Sequence, residues 1–377
     1  MKKINKLDVI YNSRKVGTLA LYKERLAAFE YDKDWLADGF SISPLSLPLD
    51  QKVFIPKSEP FDGIFGVFAD SLPDGWGRLL VDRLMLKNNI NPHEAGNLNR
   101  LAIVGSSGMG ALSYKPAYDF LPENTLSDLD SIAEQCKKLL SSSDSYENID
   151  SLFRLGGSSG GARPKILIKI DGEDWIIKFP SSYDSPDIGK QEYDYSLCAK
   201  QRGIEMPESR LFTSKNCAGY FGVKRFDRAI DKHGNVRRIH MISASGLLET
   251  SHRIPNLDYE ILMKLTSILT KDYAESEKLY RLMCFNVFAH NRDDHSKNFS
   301  YLYDEASKCW KLSPAYDLTY SYSIGGEHAT TVHGNGSDPR LSDILEVAKA
   351  AGIDHNKATK TAADIQECVH TQLKHYL

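Results

Sequence analysis

Four glycines fall within six residues at Gly156-Gly157-Ser158-Ser159-Gly160-Gly161, and just behind them the chain turns to a strand-like alternation. Such a run pays too much backbone entropy to sit inside a helix or strand. It reads as a loop whose backbone N–H groups can approach an anion without Cβ contacts. The spacing is neither a Walker A nor a Gly-x-Gly-x-x-Gly pattern, so the glycines alone do not name a ligand. Their context narrows the reading. Lys165 to Ile170 reads as a strand, Asp171-Gly172-Glu173-Asp174 as a turn, and Trp175 to Phe179 as the returning strand carrying Lys178. A glycine-rich loop feeding a hairpin, with a lysine on the return strand, is how kinase N-lobes hold ATP phosphates. Gly157, Ser158, Ser159, Gly160 and Gly161 are the cradle candidates; Lys178 is the phosphate candidate, with Lys165 and Lys169 as competitors.

A second stretch carries the complementary chemistry. Asp293 and Asn298 have four residues between them, the spacing at which kinases place a proton-accepting Asp and a metal-holding Asn. Asp317 follows a short, partly apolar segment that resembles the hairpin leading to the second metal-holding Asp of kinases. Glu192 lies fourteen residues after Lys178 on a segment, Pro186 to Gly203, with helical periodicity, where kinases put the glutamate that pairs with the strand lysine. A surface helix glutamate is the plainer alternative.

Between and around these stretches the patterns alternate in type. Residues 7–31 alternate apolar and polar about an Asn12-Ser13-Arg14-Lys15 turn, as a small antiparallel sheet would. Apolar spacing after Asp74 predicts a helix through Met85, and residues 126–140 predict an amphipathic one. Gly105 to Gly110 precedes a strand rather than a helix, so it reads as a turn. Ser141 to Ser145 reads as a linker. Gly219 to Arg228 reads as a strand ending in polar residues, and Asp258 to His290 and residues 340–377 as helices. The expected fold is therefore α+β: a kinase-like β-rich N-lobe at 146–230 and a helical C-lobe at 231–377, preceded by a small α/β subdomain at 1–145.

Composition excludes little but tests several classes. A 377-residue chain with 41% hydrophobic and 26% charged residues is ordinary for a globular protein. A formal net charge of -3 gives no basic field for nucleic acid. The six cysteines are scattered without a Cys-x-x-Cys pair, which speaks against zinc or a disulfide framework and for a reducing compartment. No run nears the roughly 18 apolar residues of a membrane helix, and no signal-peptide pattern opens the chain. The expectation is a cytoplasmic protein that does not engage membranes.

Four segments carry a family resemblance: Phe61 to Arg83 with Leu72-Pro73-Asp74-Gly75-Trp76-Gly77-Arg78, Gly156 to Lys165, Asn291 to Asn298, and Pro314 to Asp317. With its Gly-Gly-Ala-Arg-Pro-Lys and Asp-Asp-His-Ser-Lys-Asn strings, the chain resembles the HipA-type serine/threonine protein kinases, toxins of bacterial type II toxin–antitoxin pairs. The resemblance implies ATP and Mg²⁺ as cofactors, Asp293 as catalytic base, and Asn298 and Asp317 as metal holders. It implies Lys178 at the phosphates, Lys165 and Lys297 among the nucleotide contacts, Lys224 and Phe226 at adenine, and Asp227 near the ribose. It also implies autophosphorylation of Ser158, or of adjacent Ser159, and a bracing role for His295. Asp294 would assist metal binding or stand exposed. The implied partners are a HipB-like helix-turn-helix antitoxin docking on residues 1–145 and a protein substrate of the aminoacyl-tRNA synthetase kind, with DNA reached only through the antitoxin. Target choice would depend on Thr319 to Gly336, whose glycines suggest mobility. Two other readings are a lipid-kinase-like phosphotransferase and a non-catalytic nucleotide-binding co-repressor.

Overall fold

The alternation at the start of the chain folds as a meander. In the computed structural model, which describes residues 4–118, 128–141, 149–157, 160–231 and 233–377, strands Lys6–Tyr11, Arg14–Tyr22 and Leu26–Tyr31 pair antiparallel in sequence. The turn is tighter than expected. Only Asn12 and Ser13 form it, at φ 42° and 75°, because a two-residue hairpin turn of the mirror-image type needs positive φ at both positions. Val53–Phe54 and Leu112–Lys115 close the edges of this five-stranded sheet. Leu7, Val9 and Leu19 are buried on one face, while Asp8 pairs with Lys15 on the other.

The chain divides into two compact units. The first comprises Met1–Gly189, Leu211–Ile242 and Gly246–Glu249; the second comprises Lys190–Arg210, Ser243–Ser245 and Thr250–Leu377. The first unit holds a second sheet besides the meander. Lys165–Ile170 and Glu173–Lys178 form a hairpin about Asp171 and Gly172, both at positive φ, and Tyr220–Lys224 pairs with the return strand. One core joins distant stretches of the chain. Trp76, Leu80 and Leu84 of the Gly75–Lys87 helix pack with Ile132, Cys136 and Leu139 of the Leu129–Ser141 helix, and with Ile166, Ile177, Phe179 and Tyr220 of the sheet. The Ile149–Gly156 helix, absent from the sequence reading, adds Ile149 and Leu152 to that core.

The second unit is mainly helical. Helices Tyr259–Thr270 and Tyr273–Phe288 start at Asp258 and Asp272, whose carboxylates accept from Glu260 N–H and Ala274 N–H, as N-cap aspartates do. The Tyr273–Phe288 helix delivers the Asp293 loop. A hairpin, Ser300–Asp304 and Cys309–Leu312, separates that loop from Asp317. Helices Leu341–Ala350 and His355–Gln372 complete the unit. Among the described residues no helix is long and apolar enough to cross a membrane.

Candidate functional site

In the first unit the hairpin presents two lysines as a direct pair. Lys165 and Lys178 face each other across the strands, and their neighbours Ile166 and Ile177 form the next pair. Side chains alternate along a strand, so the isoleucines enter the core and the lysines share the opposite face. Both lysines are nonetheless buried, at 7% and 9% exposure. Like charges in opposed positions repel, which makes this face receptive to an anion. The Lys165 ammonium donates to the Gly160 carbonyl, and Lys178 Nζ lies 5.6 Å from the Phe221 ring centroid. Lys169, the third candidate, is exposed and opposes Asp174.

The glycine-rich loop lies over the lysine face. Gly161 has φ +85°, a left-handed conformation, and a Cβ there would meet Lys165 Nζ at 2.8 Å. Gly157 follows directly on the Ile149–Gly156 helix, and Gly160 precedes Gly161 as the Lys165 acceptor. Ser158 and Ser159 lie outside the described residues, and with them the expected phosphorylation site.

The Tyr220–Lys224 strand and the residues after it hold the remaining first-unit candidates. The Lys224 side chain pairs with Glu173, and its backbone sits in the sheet opposite Trp175. Phe226 is half-buried. Asp227 has no exposed surface. Its carboxylate accepts from Arg225 at 2.7 and 2.9 Å, from Arg228 at 2.9 Å and from the Gly110 N–H at 2.6 Å. Burial alone would push this carboxyl up, but the two guanidiniums hold it at about 2. Arg238 donates to the Ser106, Gly108 and Gly110 carbonyls. Asp227 therefore ties the Gly105–Gly110 turn to the strand, and a ribose contact would need this cluster opened.

In the second unit the Asp293 loop is pinned on both sides of an exposed carboxylate. The Asp293 side chain is 64% exposed. Its neighbour Asp294 has no exposed surface, contrary to the expectation of a metal assistant or a solvated acid. Asp294 accepts from the Tyr259 hydroxyl at 2.8 Å, lies 2.9 Å from His328 Nδ1, and takes the Thr330 N–H at 3.2 Å. Asn286 links Tyr259 to Asn291, at 2.9 Å each. On the other side Asn298 Nδ2 donates to the Asp293 carbonyl at 2.6 Å, and His295 Nε2 stands 3.8 Å from Asp293 Oδ1. The His252 ring lies 5.3 Å from that of His295.

Asp317 sits at φ +55°, a conformation Asp tolerates better than most residues. The hydroxyl of the preceding Tyr316 donates to the Lys297 carbonyl at 2.6 Å and lies 2.6 Å from Ser300 Oγ, so the segment carrying Asp317 is tied to the one carrying Lys297 and Asn298. Glu192 is nearly fully buried, at 3% exposure. With its NH₂ committed to Asp293, Asn298 offers its amide oxygen, and Asp317 adds a carboxylate. That hard oxygen set suits Mg²⁺, which typically takes one or two protein carboxylates and draws its remaining ligands from phosphates and water. Among the described residues no cluster of three His, Cys, Asp or Glu forms a metal cage. The segment after Asp317 is anchored rather than loose: His328, Thr330 and Val332 are buried, and Thr330–Thr331 pairs with Leu257–Asp258.

Sequence reasoning missed the buried network around Asp294, the tie made by Tyr316, and the cluster around Asp227. Only the last left a signal: Arg225 and Asp227, two apart at a strand end, share a face.

Comparison with known proteins divides the chain at a different place from the two compact units. Residues 7–115 match the model of the HipA N-terminal domain, and residues 157–373 match the HipA-like C-terminal domain. A Sinorhizobium fredii protein named "Putative kinase Y4mE" is 27% identical over 342 residues, 83% of this chain and 76% of that protein. A Haemophilus influenzae protein named in the same way is 25% identical over 185 residues, 43% of this chain and 52% of that protein. The fold is that of HipA in the Shewanella oneidensis MR-1 complex of HipA, HipB and operator DNA, with a TM-score of 0.71 at 18% identity over 97% of this chain and 90% of that one.

Proposed function

The chain belongs to the HipA family, and from that premise we propose that it is an ATP- and Mg²⁺-dependent serine/threonine protein kinase, the toxin of a type II toxin–antitoxin pair. The observation that carries the reading is the Asp293 loop: one exposed carboxylate held between a fully buried Asp294 and an Asn298 bonded to its own carbonyl. A general base needs that combination of access and fixed position. A module that only bound nucleotide would have no use for it.

In this reading the substrate hydroxyl gives its proton to Asp293 as its oxygen bonds to the γ-phosphorus. The bond from that phosphorus to the β–γ bridging oxygen breaks, and ADP leaves. Lys165 and Lys178 balance the charge of the phosphates, Gly157 to Gly161 cradle them, and Lys297 adds a further cation. Mg²⁺, held by Asn298 and Asp317, would supply charge neutralisation across the β- and γ-phosphates. His295 braces Asp293. The backbone of Lys224 and Phe226 receives the adenine. Asp227 serves as the strut described above.

The names of the two curated relatives support phosphotransfer. The Shewanella complex supports a HipB-like helix-turn-helix antitoxin as partner, docking on residues 1–145, with DNA contacted through the antitoxin. The substrate is a translation-related protein of the aminoacyl-tRNA synthetase type, and the chain also phosphorylates its own Ser158 or Ser159. A phosphate of about -1.5 to -2 charges there would repel the nucleotide from its cradle.

The test is intact-mass and phosphopeptide mapping of the wild type beside Asp293→Asn, each incubated with ATP and Mg²⁺. Phosphate on Ser158 or Ser159 in the wild type alone is the expected result. Removing a general base costs about 10²–10⁴ in rate, so the variant should stay unmodified while still binding ATP. Equal phosphate on both proteins would remove the role given to Asp293.

A further inference from the structure

Asp74 stands at the N-cap of the Gly75–Lys87 helix, yet its side chain makes no capping bond to that helix. An N-cap aspartate ordinarily accepts from the N–H groups two or three residues on. Here Oδ1 accepts instead from the Gly161 N–H, at 2.5 Å. The same helix end makes two further contacts with the loop and its strand. Trp76 N–H, one of the first-turn donors that a helix leaves without an internal partner, donates to the Gly161 carbonyl at 2.9 Å. The Trp76 indole N–H donates to the Lys165 carbonyl at 3.2 Å. Gly75 permits the approach: it has φ +44°, and a Cβ there would lie 2.3 Å from the Gly161 oxygen. From the other side the Lys165 ammonium holds the Gly160 carbonyl. The Gly160–Gly161 peptide is thus gripped by Asp74 at its N–H and by Lys165 at its C=O.

We propose that Asp74 is a positioning residue for nucleotide binding: its carboxylate, diverted from its own helix, fixes the Gly160–Gly161 peptide in the shape that receives phosphate. This rests on the kinase reading for the identity of the ligand, but not for the grip itself. A loop shaped in advance loses less conformational freedom when the ligand arrives, and the saving appears as affinity. The Leu72-Pro73-Asp74-Gly75-Trp76-Gly77-Arg78 string then has a physical purpose, because Asp74, Gly75 and Trp76 each contact the loop or the strand behind it.

The experiment uses the full chain, with the non-hydrolysable ATP analogue AMP-PNP and Mg²⁺ as probe. Asp74→Ala and Asp74→Ser are compared with Asp74→Asn, which keeps an acceptor oxygen. Serine is itself a favoured N-cap residue and withdraws the carboxylate, so it serves if the alanine variant does not fold. Calorimetry should give binding about tenfold weaker for Ala and Ser, the scale of one charge-assisted hydrogen bond, and near wild type for Asn. Hydrogen exchange of the Gly160 to Lys165 amides should quicken in Ala and Ser at an unchanged melting temperature, a local effect that a merely structural residue would not produce. Unchanged exchange, or binding that is equal or tighter without the carboxylate, overturns the proposal; tighter binding would mean that Asp74 competes with phosphate. If the wild type itself binds no AMP-PNP, the nucleotide reading fails, and the exchange data alone decide the grip.

Discussion

Asp293 and Asp294 are adjacent and identical in type, and their surroundings give them opposite fates. The first is open to solvent, and the second carries a network of Tyr259, His328 and Thr330. Replacing Asp294 with alanine would leave those buried groups without their acceptor, a class of change that costs about 3 kcal/mol or more. The expected outcome is a clearly lowered urea midpoint for Asp294→Ala, and loss of phosphotransfer even where the variant remains folded. An unchanged midpoint would mean that the network does not hold the loop. Spacing to Asn298 picked out Asp293 from the sequence, because that relation is local. Nothing local marks Asp294, whose partners lie up to 36 residues away along the chain. Asp227 owes its surroundings to neighbours in the sequence instead. A position assigned by resemblance to the ribose is filled by a carboxylate already taken by Arg225 and Arg228, and the two arginines beside it in the sequence were the available warning.

At the scale of elements, the Lys165–Ile170 and Glu173–Lys178 hairpin was legible because an antiparallel pair with one buried face must alternate. Its turn was legible too, though Glu173 and Asp174, read as part of it, belong to the return strand. The register was not, and it is the register that sets Lys165 against Lys178. Setting two lysines opposite each other on one face predicts that a polyanionic ligand binds the folded form selectively. Mg-ATP at 100 times its dissociation constant should add about 2.7 kcal/mol to stability, a rise of a few degrees in melting temperature for a chain of this size. That rise should shrink or vanish in Lys165→Met and Lys178→Met, measured by differential scanning fluorimetry. A full rise in both variants would place the phosphates elsewhere. The Ile149–Gly156 helix escaped the reading because two turns ending in glycine give too short a period to recognise, although Ile149, Leu152 and Phe153 keep helical spacing.

For the molecule as a whole, a formal net charge of -3 sets the expectation for nucleic acid. Affinity for duplex DNA comes largely from phosphate neutralisation and falls steeply with salt. The purified chain should therefore give no anisotropy change with a labelled operator-length duplex at 150 mM salt, and should gain one only when a HipB-like protein is added. Binding by the chain alone would contradict the proposed route to DNA. Strand-rich and helical stretches were both visible in outline, since their periodicities differ. The sharing of one core by distant stretches was not, because apolar periodicity names a buried face without naming its partner. That sharing bears on descent. Trp76, Leu80 and Leu84 lie in the region matching the family's N-terminal domain, while Ile166, Ile177 and Phe179 lie in the region matching its C-terminal one, and all six close a single core. A recombination event that joined either region to a stranger would leave half an interior without its complement, so the two should have passed from genome to genome as an inseparable pair.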